Sequence, residues 1–205
     1  MEIERMIMLQ RVFLISDLHF NYRSMLFFGK RPFNNLKEMH EAIIENWNKV
    51  VENKDIVIIV GDFGKGSLEF FKRILKKLKG LKIFVRGNHD YWFRLRRLVK
   101  IGIGVYDEIS LRIKGIDILI SHKPNKEYED LFDINIHGHH HRRLLPRGLP
   151  QRPYYNVAVE HNEYKPKLLT DIIQDKGYCI KNISMDLTLE TRKLLPAPQR
   201  LLLPI

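Results

Sequence analysis

Three continuous apolar runs restrict this chain more than any other feature: RVFLIS (11–16), DIVIIV (55–60) and LKIFV (81–85). A strand with water on one face alternates apolar and polar residues, whereas a run that is apolar on both faces is buried on both. Each run stops abruptly in polar residues: Asp17 and then His19, Gly61-Asp62, and Arg86-Gly87-Asn88-His89-Asp90. The stretches between them have helical spacing. Leu36, Met39, Ile43, Trp47 and Val50 make one stripe over 34–52, with Asn34 or Asn35 as cap. Over 67–79, Ser67 is the expected cap, Phe70, Phe71, Ile74, Leu75 and Leu78 the apolar side, and Gly80 the stop. The order strand-helix-strand-helix-strand predicts a layered α/β fold.

The second half reads differently. ISLRI and IDILISH, within 109–122, form two strands around a Lys114-Gly115 turn, and DINIHGHHH and YYNVAV add two more strand ends. A second sheet packed on the first is expected. The 205 residues suit one domain, taken as 1–180, and the leucine- and proline-rich 181–205 is expected to be a packing or oligomerisation arm. A homo-oligomer would be compatible with such an arm. The single cysteine, Cys179, excludes an internal disulfide and a thiolate zinc cage and suits a reducing cytoplasm. MEIERMIMLQ carries acids among its apolar residues and no small-residue cleavage site, so no signal peptide is expected. The longest apolar runs are strand-sized, which predicts no membrane partner. A formal net charge of +11 favours polyanionic partners such as nucleotides or nucleic acid.

In open α/β sheets, ligands bind outside the carboxyl ends of the strands. That rule would gather Asp17, His19, Asp62, Asn88, His89, Asp90, His122, His139 and His141 at one edge, although they span more than a hundred positions. Imidazole, carboxylate and amide oxygen without thiolate suit Mn, Fe, Zn, Ni or Co. Even seven ligands among these nine are too many for one ion and about right for two that share a carboxylate. DFG at 62–64 lacks the other kinase motifs, and GDFGKG lacks the spacing of a phosphate-binding P-loop.

The ordered set DLH, GDFG, RGNHD, SHKP and HGHHH resembles the calcineurin-like metallophosphoesterase superfamily, whose pattern is D-x-H, G-D, G-N-H-[DE], H and G-H-x-H. The resemblance spans roughly 11–160. The KRPF segment and the following W-N-bearing helix are similar to a small single-domain branch described as predicted phosphoesterases. It implies a four-layer α/β/β/α sandwich holding two divalent ions, manganese first among the candidates. By the family pattern Asp17, His19 and His141 would hold the first ion, Asp62 would bridge, and Asn88, His122 and His139 would hold the second. His89 would protonate the leaving oxygen, and Asp90 could orient His89 by accepting from its ring. A bridging hydroxide would then attack phosphorus in line.

The implied function is hydrolysis of a phosphate ester, taken first as a phosphodiester of a nucleotide, cyclic nucleotide or nucleic-acid end. A phosphomonoesterase, including a protein Ser/Thr phosphatase, is the alternative, and a non-catalytic scaffold of the same fold the more distant one. Tyr22, Arg23, Arg86 and Arg142 are the candidate substrate residues, with Arg143 and Arg147 near the same edge. YWFRLRRLVK (91–100) is either a stacking and phosphate-gripping wall or a helix with Leu95, Leu98 and Val99 turned inward. By strand parity His137 shares a side with His139 and His141 and is read as a packing or supporting residue, and His140 as a rim residue. His40 is expected at the surface, and His161 in a structural role.

Overall fold

The computed structural model describes residues 11–128, 130–141, 153–178 and 188–190. The three apolar runs form the parallel strands β1 (Val12–Ile15), β2 (Ile56–Val60) and β3 (Leu81–Val85). They are joined by β4 (Gly104–Tyr106) and, antiparallel to β1, by β9 (Lys167–Leu168), in the order β4-β3-β2-β1-β9. The second half builds the other sheet from β5 (Glu108–Ile113), β6 (Ile116–Ser121), β7 (Ile134–His137), β8 (Tyr154–Asn156) and β10 (Thr188–Glu190). Its order is β10-β5-β6-β7-β8, with β6, β7 and β8 parallel. The β5–β6 turn has φ of 48° at Lys114 and 80° at Gly115, the two positive values that a tight hairpin turn requires.

The helices follow the expected stripes. After the short α1 (Ser24–Phe27), α2 (Leu36–Val50) starts where the Asn35 side chain accepts from Glu38 N–H at 2.9 Å. It buries Met39, Ile43 and Trp47. In α3 (Leu68–Lys77), Ser67 Oγ accepts from Phe70 N–H at 3.2 Å, and Lys76 and Lys77 meet the negative end of the helix. In α4 (Trp92–Val99), Leu95 and Leu98 turn inward, whereas Val99 is exposed, because the stripe here is narrower than the apolar content suggests. The side chains of Trp92, Phe93, Arg94 and Arg97 lie outside the described residues, as do Arg142, Arg143, Arg147, Cys179 and residues 191–205. Last comes α5 (Leu169–Asp175).

Two cores result. Phe13, Ile15, Val57, Ile59 and Phe84 on one face of the first sheet meet α2, α3 and α4. Leu14, Ile58, Val60 and Val85 on its other face meet Ile109, Leu111, Ile118, Ile120, Ile134 and Ile136 of the second sheet, together with Leu169, Ile172 and Ile173 of α5. This is why the first three strands are apolar on both faces. The fold is α/β with mixed parallel and antiparallel sheets. Helix, sheet and sheet are three of the four expected layers. None of the described helices packs into a core on the far side of the second sheet. No described helix is long and apolar enough to cross a membrane.

Ile120 is fully buried between the sheets. Ile120→Ala is expected to cost about 2–5 kcal/mol in urea unfolding. A loss below about 1 kcal/mol would mean that the sheets do not pack as described.

Candidate metal centre

The carboxyl ends of β1, β2, β3, β6 and β7 lie along one edge, and the loops leaving them are tied to one another. Asp17 N–H donates to Gly61 O at 3.1 Å, His19 N–H to Asp62 O at 2.9 Å, and Phe20 N–H to Phe63 O at 2.9 Å. Ser16 and Ala158 form an isolated bridge that ties this edge to the second sheet. Asp17, His19, Asp62, His139 and His141 all have positive φ, between 42° and 68°. Asp and His tolerate this region better than most residues, but each such position still costs free energy and persists only where its surroundings enforce it. The His139–His141 spacing therefore works through left-handed backbone, not through the strand parity expected, and Asp17 and His19 share that backbone. His137, still in β7, is wholly buried and hydrogen-bonds Gly138 O through Nδ1.

The side chains converge. Asp17, His19 and His141 each offer a donor atom mutually within 4.8 Å, and so do Asp17, Asp62 and His122. Asp17 belongs to both groups, and Asp62 Oδ2 of the second stands 3.4 Å from His122 Nε2 and 3.6 Å from His19 Nε2 of the first. Asn88 Oδ1 is 2.9 Å from His122 Nε2. His139 belongs to neither group. Its N–H donates to Asp17 Oδ2 at 2.9 Å, and its ring centroid lies 5.3 Å from that of His122.

These residues fit divalent ions. Asp17 Oδ1 and both ring nitrogens of His19 are buried without a hydrogen-bond partner among the described residues. Buried polar atoms left unmatched in this way are costly unless something else binds them. The donors are imidazole nitrogen and carboxylate oxygen, the set that borderline and hard divalent ions take. The electrostatics agree. Burial pushes the Asp17 carboxyl up and the His19 imidazole down, to about 3. Burial opposes ionisation of Asp62 as well, but the His122 hydrogen bond, the charges of His122 and His19 and the His89 N–H together outweigh it and hold Asp62 below its usual value, while His122 is raised. His139 is lowered to about 4, first by burial and then by the charges of His122 and Lys123.

Several residues are placed differently from expectation. Asp90 does not reach for the His89 ring. Its Oδ2 accepts from Asp62 N–H at 2.7 Å and Gly87 N–H at 2.9 Å, and its Oδ1 from Phe63 N–H at 3.1 Å. Both oxygens are spent on bracing the Asp62 turn. His89 is exposed at the mouth; its N–H donates to Asp62 Oδ1 at 2.8 Å, and its ring packs edge-on against His19 and Tyr22. Tyr22 thus reaches the site. Arg23 is turned to the Phe27 ring, and Arg86 is tied to Asp107 at 2.6 Å. His40 is no idle surface residue: its Nε2 accepts from Asn21 N–H at 2.8 Å, which holds the turn that follows His19. His161 Nε2 bonds the His141 carbonyl.

Three features escaped the sequence reading. Gly87 and Gly138 stand where a Cβ would come within 2.2 Å of Asp62 Oδ1 and 2.4 Å of Asp17 Oδ2, so the glycines of GNH and GHH make room for the neighbouring carboxylates. The third is a buried pair. Arg31 donates to Asp17 O at 2.5 Å, to Leu18 O at 2.9 Å and to Glu160, and Glu160 Oε1 lies 3.0 Å from His141 Nδ1. Burial would lower the His141 pKa, but Glu160 and Asp17 outweigh it and raise it. Glu160 could have been found: it closes the apolar run NVAV as Asp17 closes the first one.

A calcineurin-like phosphoesterase family model matches residues 10–178, and the chain belongs to that family. It is 35% identical over 184 residues to the uncharacterized protein MJ1445 of Methanocaldococcus jannaschii, covering 86% of this chain and 98% of that one. It is also similar to the crystal structure of a protein of unknown function, AQ665, from Aquifex aeolicus. That match has a TM-score of 0.63 and 28% identity, over 80% of this chain and 98% of the other.

Glu160→Gln keeps the shape of the side chain but removes the carboxylate behind His141. It is expected to weaken Mn²⁺ binding, read by calorimetry, by roughly 10–100-fold. Unchanged affinity would limit the Arg31–Glu160 pair to a packing role. His40 should titrate below 6.5, because burial lowers its pKa and its Nε2 must stay unprotonated to accept from Asn21. Ring NMR shifts would show this, and a midpoint at or above 6.5 would contradict the contact.

Proposed function

We propose that this protein is a dinuclear-metal phosphoesterase that cleaves phosphodiesters of nucleotides or nucleic acid. The observation that carries the reading is the position of Asp62, with one oxygen between His19 and His122 at 3.6 and 3.4 Å. Asp17, His19 and His141 would hold one divalent ion, Asn88, His122 and His139 a second, and Asp62 would be shared. Manganese is the first candidate. Such ions, when bound, polarise a phosphoryl oxygen and make water a nucleophile near neutral pH.

The chain's own residues do the rest. Asp90 and the Gly87 approach hold the Asp62 carboxylate in place before any ligand arrives. Glu160 fixes which nitrogen of His141 faces the centre, since Nδ1 is engaged and Nε2 points to Asp17 Oδ1 at 3.5 Å. His89 stands at the mouth with its N–H on Asp62 Oδ1 and its ring beside His19, and that ring donates a proton to the leaving oxygen. Tyr22 closes one side of that ring. Residues 1–180 would act as one catalytic domain.

The test is hydrolysis of bis-p-nitrophenyl phosphate against p-nitrophenyl phosphate with Mn²⁺, an EDTA control and Asp62→Asn. Diester turnover that falls to the EDTA background in Asp62→Asn is expected. Preference for the monoester would make the enzyme a phosphatase, and no turnover by a Mn²⁺-loaded protein would refute the catalytic reading.

A further inference from the structure

A cleft of about 530 Å³ opens beside the candidate centre, on its Asn88 and His122 side. One wall is the loop from Arg86 to Tyr91 and the other the segment from Ser121 to Asn125. The volume lies in the range that takes a small organic ligand, roughly 300–1,000 Å³. The cleft shares Asn88 and His122 with the centre, so a group lying in it is continuous with a phosphate held at the two carboxylate–histidine groups.

Both walls are held by hydrogen bonds to their surroundings. Tyr91 is the cap residue just before α4, and its carbonyl accepts from Leu95 N–H at 3.4 Å. Opposite, Ser121 Oγ donates to Lys123 O at 2.8 Å, Pro124 restricts the backbone conformation of Lys123, and Asn125 N–H donates to Asn135 Oδ1 at 2.9 Å. The charges in the cleft are unequal. Arg86 is neutralised by Asp107. Lys123 is exposed, and no carboxylate lies within ion-pair distance of it among the described residues. Tyr91 is 54% exposed, which leaves part of a large ring facing solvent at the rim. A cation without a carboxylate partner among the described residues and an accessible ring, both lining the cleft beside the candidate centre, match a ligand with one phosphate and one planar base per unit.

We infer that this cleft is a nucleotide subsite for one arm of the scissile phosphodiester, with Lys123 binding the phosphate next to the scissile one and Tyr91 stacking on a base. The inference rests on the phosphoesterase reading and narrows it: the preferred substrate is a diester whose arm carries a second phosphate, as in a short single strand. Arg86, already paired, shapes the cleft and adds little charge.

The experiment measures fluorescence anisotropy of a labelled tetrathymidylate with the full chain in EDTA, where turnover cannot interfere. Lys123→Ala should bind about fivefold more weakly, comparable to one exposed ion pair, and with a shallower salt dependence. Tyr91→Ala should lose about fivefold or more, and Tyr91→Phe should retain the wild-type affinity. Lys72→Ala, which removes an equal charge from α3, is the control for general electrostatics. Wild-type affinity in Lys123→Ala, an equal loss in Lys72→Ala, or no binding by the wild type would each overturn the subsite. With Mn²⁺, Lys123→Ala should lose more kcat/KM on the oligonucleotide than on bis-p-nitrophenyl phosphate, by about fivefold. Equal losses would also overturn it. Absence of all diester turnover by the wild type would instead refute the phosphoesterase reading, while the binding measurement still decides the subsite.

Discussion

The Asp62 turn is the constraint on which the rest of the site depends. Its carboxylate lies 3.6 Å from His19 and 3.4 Å from His122, and its backbone takes a left-handed conformation with φ of 56°. Nothing local pays for that geometry. Asp90 supplies it from the end of β3 by accepting from the N–H groups of Asp62, Phe63 and Gly87. The β1 loop adds its own N–H donors to the carbonyls of Gly61, Asp62 and Phe63. Three strand ends thus hold one another, and each supplies candidate ligands. Asp90 is buried and raised to about 6, first by burial and then by the neighbouring Asp62, while the three N–H donors favour its charge. A brace of this kind makes the loops stiff where a loop is ordinarily the mobile part of a fold.

The second support is the Arg31–Glu160 pair, fully buried and 129 positions apart in sequence. A buried ion pair seldom adds much stability, because desolvating both charges offsets their attraction. Its value here is geometric. Arg31 holds the carbonyls of Asp17 and Leu18 on one side and Glu160 on the other, and Glu160 holds His141. One guanidinium therefore couples the first strand's loop to the candidate ligand that arrives last in the chain, His141. The cleft beside Asn88 and His122 is where a cation stands next to the centre without a carboxylate partner, among the described residues.

Much of the fold was legible because burial leaves a direct mark on composition. Strands covered on both faces cannot alternate, so β1, β2 and β3 announced themselves. The helices were legible from their stripes and from the caps Asn35 and Ser67, and the hairpin from Lys114-Gly115. The site was legible as a set of polar residue types closing those strands. What could not be read were contacts between segments far apart in the chain. Asp90 lies next to His89 in sequence, and proximity suggested that they pair. Its oxygens instead meet the backbone 27 and 28 positions away. His40 lies on a helix face that looks solvent-facing, until Asn21 is brought against it.

The sequence by itself determined the class of the fold, the edge at which chemistry gathers and the donor types available there, because these follow from which residues water rejects and which side chains bind cations. Only the tertiary structure decided how the donors are grouped and which neighbours fix them. Left-handed backbone at Asp17 and Asp62 is not a local preference of those residues. It is imposed by hydrogen bonds from other strands, and a linear sequence does not show which strands will lie side by side.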